Sequence, residues 1–174
     1  METIVAIKTR RSIRKFKDRE VSIELIKELL DAAMMAPSAG NQQPWHFIIL
    51  QDREKLNTIA TEHPYAKMLP ETPVAIVVCG DPDLDSYNGS WPIDCSAATQ
   101  NILLAAHDYG LGAVWIGVYP NKDRINLIRR VCNIPDKIFP LAVIAIGWPA
   151  EKRSTFSRFK IERVHFDNWD TVSG

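Results

Sequence analysis

Tyr109-Gly110-Leu111-Gly112-Ala113-Val114-Trp115-Ile116-Gly117 is the stretch on which the fold turns. Its spacing invites comparison with the dinucleotide fingerprint GxGxxG, and the comparison fails twice. Trp115 stands where the third glycine belongs, and the stretch follows a helical pattern instead of a strand. A dinucleotide-binding Rossmann crossover is therefore excluded here. What remains is a helix stop followed by a strand. Gly110 sits where a C-terminal cap glycine belongs, and residues 113–118 read as the strand. The glycines also let backbone approach a flat molecule closely.

Working outward, residues 93–109 carry the strongest helical pattern. Ala97, Ala98, Ile102, Ala105 and Ala106 give it small-residue faces suited to close packing. Residues 122–131 form an amphipathic helix. The runs 139–146 and 73–79 are continuously apolar and rich in β-branched residues, as buried strands are. Further upstream, residues 45–50 read as a strand, and Asp52 can cap a helix to about residue 60. Ser22 is a good N-cap, with Val21 and Ile26 as its hydrophobic staple. It opens a stripe of Ile26, Leu29, Leu30, Ala33 and Met34 that Pro37 ends. Residues 4–9 make a short helix with Ile4 and Ile7 on one face. The tail beyond residue 149 is polar and basic, and no element is assigned to it. Alternating helix and strand patterns would, taken alone, suggest a doubly wound parallel sheet.

Bulk properties narrow the function. A length of 174 residues suits one domain spanning 1–174, and 46% apolar residues can fill a core. Lys plus Arg number 21 and Asp plus Glu number 21. That balance argues against a general nucleic-acid binder. The longest apolar runs are far too short to span a bilayer, and the basic residues of METIVAIKTRRS follow its apolar stretch, against the order of a signal peptide. Cys79, Cys95 and Cys132 contain no CxxC and fit a reducing cytoplasm. His46, His63, His107 and His165 lack metal-ligand spacing, so no metal is expected. Asp81, Asp83 and Asp85 resemble part of a calcium loop, but glycine follows only at Gly89 and no glutamate completes it; they read as a turn. There is no GxSxG elbow and no P-loop.

Four segments retain chemical interest. Arg10, Arg11, Ser12 and Arg14 place three guanidiniums and a hydroxyl within five residues, a set able to surround a terminal phosphate. Residues 37–45, PSAGNQQPW, gather amides and hydroxyls that can bond the carbonyls and ring nitrogens of a heterocycle. The glycine stretch 110–117 is the third. Gly147-Trp148-Pro149-Ala150-Glu151 is the fourth, followed by Lys152, Arg153 and Arg158, any of which could close over the same phosphate. Taken singly, each is an ordinary surface feature.

Taken in order, RRSIRKF, APSAGNQQPWHF, YGLGAVWIGVYP and IGWPAE with a downstream arginine resemble the FMN-dependent nitroreductase family over nearly the whole chain. The resemblance implies an α+β fold in which a mixed, mostly antiparallel sheet is flanked by helices, and it displaces the parallel sheet. It implies an intertwined homodimer with FMN at the interface and residues 93–109 as the central dimer helix. Arg10, Arg11, Ser12 and Arg14 match the family's phosphate and ribityl contacts, and Arg158 its C-terminal phosphate arginine. Pro37, Ser38 and Asn41 match the loop that reaches the flavin from the partner subunit. Lys67 matches a lysine near the pyrimidine edge, and Ile116 and Gly117 a segment whose backbone can bond near N5. The implied activity is ping-pong transfer of hydride from NADH or NADPH through flavin N5 to a nitroaromatic, a quinone or a similar acceptor, with no catalytic side chain. The same resemblance admits a flavin-fragmenting or dehalogenating enzyme, or a flavin store or sensor without nicotinamide turnover. The stretch from Gly80 to Trp91 leaves little room for the helical lid of larger relatives.

Overall fold

The computed structural model describes residues 1–169. The end of the expected 1–174 domain thus lies outside the described residues. Nine main elements follow one another: α1 (Thr3–Thr9), α2 (Ile23–Met34), β1 (Trp45–Leu50), α3 (Arg53–Glu62), β2 (Val74–Gly80), α4 (Trp91–Asp108), β3 (Gly112–Gly117), α5 (Lys122–Cys132) and β4 (Phe139–Gly147). The strands form one sheet in the order β1-β2-β4-β3, and every neighbouring pair is antiparallel. The parallel sheet suggested by alternation is therefore wrong. Helices separate the strands in sequence: α3 and α5 return the chain antiparallel to the strand before, while α4 joins β2 to β3, which run the same way and lie on either side of β4. Outside the named strands, a parallel bridge joins Ser12 to Ala113.

The sheet is buried on both faces, which is why β2 and β4 read as unbroken apolar runs. Val74, Ile76 and Val78 join Ala142, Ile144 and Ile146 on one face, against Ile26, Leu29 and Ala33 of α2 and Ala98, Ile102 and Ala106 of α4. Ala75, Val77, Val143 and Ala145 point to the other face, against Leu56 and Ile59 of α3 and Ile125 and Ile128 of α5. The alternation of side chains along each strand thus builds two cores from one sheet.

Helix ends follow local chemistry. Ser22 Oγ accepts the Leu25 N–H, and the Asp52 carboxylate accepts those of Glu54 and Lys55. Gly110, at φ +75°, ends α4 in a Schellman turn: Leu111 N–H bonds Ala106 O at 2.7 Å and Gly110 N–H bonds His107 O at 3.1 Å. The three aspartates after β2 do build a turn: Asp81 accepts the Asp83 N–H, and Asp85 accepts those of Tyr87, Gly89 and Trp91. The short N-terminal helix is present as α1, with its spaced isoleucines on the surface: only Ala6 is buried, while Ile4 and Ile7 lie exposed.

Candidate functional site

The site is built on the free edge of β3. Residues 10–16 leave α1 extended and run beside that edge: Ile13 N–H bonds Ala113 O at 3.0 Å, and Phe16 bridges Pro149. Glycines allow this approach. A Cβ on Gly112 would stand 2.7 Å from the Ile13 side chain, and one on Gly147 2.9 Å from Phe16. Glu151 holds the arm from the tail side. Its Oε1 accepts the N–H groups of Arg14 at 2.6 Å and Lys15 at 3.2 Å, and its Oε2 accepts from Arg153. The Arg14 N–H, and then the Arg153 charge, hold the Glu151 carboxyl below its usual range.

Arg10, Arg11 and Arg158 line a cavity of about 580 Å³ with residues from Ile7 to Thr9 and from Thr155 to Phe159. Arg11 and Arg158 both lie against the Phe156 ring, at 5.5 and 5.3 Å from its centroid. Among the described residues, none of the three guanidiniums forms an ion pair with a carboxylate. Burial, then the Arg158 and Arg11 charges, push Arg10 below the ordinary arginine range. Arg11 spends Nε and Nη1 on the carbonyls of Ser154, Lys8 and Arg10, and leaves Nη2 buried without a partner. Three mutually repelling cations and an orphaned donor need an anion, and a phosphate meets both needs.

A second cavity, of about 410 Å³, is lined by Arg14, Tyr65, Lys67, Met68 and residues 114–117. Lys67 Nζ donates to Ala60 O at the end of α3. Val118 N–H bonds Leu141 O, and bonded residues alternate along an antiparallel pair. Val114 and Ile116 therefore bond to β4, while Trp115 and Gly117 turn their peptide groups off the free edge. A Cβ on Gly117 would meet nothing within 4 Å. The edge thus offers amide hydrogens beside open space, the requirement for a flat heteroaromatic ring.

Pro37 and Ser38 line a third, separate cavity of about 330 Å³ with Ser90, Ile93 and Ala97. Asp94 accepts the Ala39 N–H, Ser38 Oγ the Gln43 N–H, and Asn41 Oδ1 a hydrogen from Gln43. Gln42 and Ser86 bond reciprocally and tie this loop to the turn before α4. The structure thus gathers Arg10, Arg11 and Arg158 in one cavity and Arg14, Lys67, Ile116 and Gly117 in the next. Ser12 sits between them in the arm, and Pro37, Ser38 and Asn41 belong to another surface. Of the three downstream cations, Arg153 is committed to Glu151, whereas Arg158 faces Arg10.

Sequence reasoning passed over His63 and Arg124. His63 is fully buried, and its Nε2 lies 3.1 Å from Gly117 O. Arg124 Nη1 donates to the same oxygen at 3.2 Å and its guanidinium covers the Tyr65 ring. Neither residue belongs to a motif, so no pattern in the sequence marks them. Among the described residues, no group of three or more His, Cys, Asp or Glu could hold a metal ion, and no helix is long and apolar enough to cross a membrane.

Comparison with known proteins agrees with this geometry. The model of the nitroreductase family matches residues 7–78 and 59–148. A protein of Methanothermobacter thermautotrophicus, named for NADH dehydrogenase/NAD(P)H nitroreductase activity, is 53% identical over 97% of this chain and 88% of its own. An FMN-dependent nitroreductase of Clostridium difficile superposes with a TM-score of 0.88 at 34% identity, covering 95% of this chain and 99% of its own. A protein of Desulfovibrio desulfuricans named for the nitroreductases, whose structure is a complex with FMN, superposes with a TM-score of 0.85 at 32% identity, covering 97% of this chain and 98% of its own. Fold, edge cavity, arginine cluster and these likenesses converge: the chain belongs to the nitroreductase family.

Proposed function

We propose that this chain is an FMN-dependent oxidoreductase that acts as a homodimer, with NADH or NADPH as donor and a nitroaromatic, quinone or similar oxidised compound as acceptor. The observation that carries the reading is the uncompensated cluster of Arg10, Arg11 and Arg158 beside the open edge of β3. Arg10, Arg11, Ser12 and Arg158 hold the phosphate and ribityl chain. Arg14, Ile116 and Gly117 line the ring cavity. Lys67, on the same wall, places a positive charge where reduction of the ring adds negative charge.

When bound, FMN supplies the hydride chemistry, in two half-reactions at one open site. The protein binds, orients and tunes; no side chain acts as nucleophile or general base. Pro37, Ser38 and Asn41 cover the ring from a second copy. Support for the dimer comes from Ile4, Val5 and Ile7 of α1, Met34 and Met35 at the end of α2, and Ile93 of α4, all large apolar side chains left exposed. The three free cysteines suit a reducing cytoplasm, and residues 1–174 act as one domain.

The test is titration of ligand-stripped protein with FMN, followed by quenching of flavin fluorescence. Tight binding near one FMN per chain is expected, with bleaching of the bound flavin on adding NADH or NADPH. No binding by a folded dimer would overturn the reading. Binding without bleaching by either donor would leave a flavin store or sensor in its place.

A further inference from the structure

The carbonyl of Gly117 is held with more care than the end of an edge strand requires. Two donors from different elements converge on it: His63 Nε2, from the turn after α3, and Arg124 Nη1, from the first turn of α5. The histidine's tautomer follows from its other bond. Tyr65 N–H donates to Nδ1 at 3.2 Å, so Nδ1 is the acceptor and Nε2 carries the hydrogen given to Gly117. The ring is fully buried, and burial is the main cause that lowers its pKa; the neutral form it keeps is the one this pair of bonds needs. Arg124 is itself fixed, by its backbone bond to Asn121 Oδ1 and by its cover over Tyr65. The residue so clamped is a glycine, free of Cβ restraint, at the last position of β3. Its N–H shares the free edge with the clamped carbonyl and borders the cavity of Tyr65, Lys67 and Ile116.

We propose that His63, seconded by Arg124, is a positioning residue: by holding the Gly117 carbonyl it limits rotation about the Gly117 Cα, so that the N–H of the preceding peptide, on the same edge, is presented to the flavin ring. The inference rests on the reading that FMN lies along the β3 edge. Its consequence is electronic. A fixed N–H beside N5 favours oxidised flavin, whose N5 accepts a hydrogen bond, over reduced flavin, whose N5 carries hydrogen. Loosening Gly117 removes that preference. Without the clamp, affinity for oxidised FMN falls relative to affinity for reduced FMN.

The experiment measures the dissociation constants of oxidised and of chemically reduced FMN for the wild type, His63→Phe, His63→Gln and Arg124→Met. It also follows the Gly117 amide resonance of labelled wild-type protein as FMN is added. The expected result is a rise of about three- to ten-fold in the oxidised-to-reduced ratio for His63→Phe, the range one hydrogen bond covers. Arg124→Met changes the ratio in the same direction by less. His63→Gln, which keeps a side-chain donor, restores part of the loss. Should His63→Phe fail to fold, Arg124→Met carries the test alone, and an unchanged ratio there overturns the proposal. If the wild type binds FMN and Gly117 shifts, yet both variants keep the wild-type ratio, the clamp is structural only and the proposal falls while the FMN site stands. A wild type that binds no FMN, or binds it without moving Gly117, overturns the underlying placement instead.

Discussion

Gly112 and Ile13 touch so closely that no side chain fits between them. A Cβ on Gly112 would lie 2.7 Å from both Cβ and Cγ2 of Ile13, and these are atoms near the backbone, with no flexible end to swing aside. The arm of residues 10–16 depends on that gap. Gly112→Ala must push the arm away from β3, and Arg10, Arg11 and Arg14 move with it. Overpacking of this kind costs about 1–3 kcal/mol of stability. The expected outcome in urea denaturation is a loss of that size, with FMN binding weakened at temperatures where the variant is still folded. Wild-type stability and affinity would show that the arm has room the structure denies it.

The arginine cluster predicts a selective loss. Arg10→Ala removes a charge-assisted partner of the phosphate worth about 1.5–3 kcal/mol, which should weaken FMN at least ten-fold. Arg158→Ala should act in the same direction by about ten-fold, and Arg153→Ala should act little, because Arg153 is bound to Glu151. The control is riboflavin, which lacks the phosphate. Both losses should vanish when riboflavin replaces FMN in the titration. Equal losses for the two ligands would move these arginines from the phosphate to the ring. An Arg153→Ala loss equal to that of Arg158→Ala would overturn the choice between them.

Glu151 gives the arm a pH dependence of known sign. Its carboxyl is held below the unfolded value of 4.5, by the Arg14 N–H foremost and then by the Arg153 charge. A lowered folded pKa means that the anion stabilises the fold. The contribution is fully present above about pH 4.5 and is lost as pH falls through the folded pKa. The neutral His63 titrates in a higher window, between its own lowered pKa and 6.5, and also loses stability on acidification. The difference between wild type and Glu151→Gln isolates the carboxylate. That difference should be constant from pH 7 to 5 and shrink below 4.5. A difference that does not change with pH would show that the carboxylate's charge contributes nothing.

What the sequence could show follows from the range of the forces involved. Trp45–Leu50, the Ser22 and Asp52 caps and the Gly110 stop were legible because each is decided by neighbours within a few residues. Strand direction was not, since β2 and β4 look alike whichever way they run; only the resemblance pointed to the antiparallel sheet. Ile4 and Ile7 had the right spacing for a packed face, yet nothing in the described chain covers them. Spacing predicts a face and says nothing of whose surface it meets. The four motifs located the site, but Arg14 and Glu151, 137 residues apart, meet through a backbone N–H that no motif records. His63 was noticed only for lacking metal-ligand spacing. Its role depends on a carbonyl 54 residues away.

The separation of Asn41 from the arginine cluster leads to a sharper test than single substitution. Asn41 sits at φ +56° in a loop braced by Asp94, Gln43 and Ser86, and this loop lines a different cavity from Arg10. If one FMN takes Arg10 from one copy and Asn41 from the other, Arg10→Ala and Asn41→Ala each damage both sites of a homodimer. Mixing them in one heterodimer has a different result. One site then receives both defects and the other receives none. The expected titration of a purified Arg10→Ala/Asn41→Ala heterodimer shows one FMN bound per dimer with wild-type affinity. Were both groups contributed by the same chain, each site would carry one defect and no wild-type site would appear. Half-occupancy at full affinity therefore supports the shared site, and uniform weak binding rejects it.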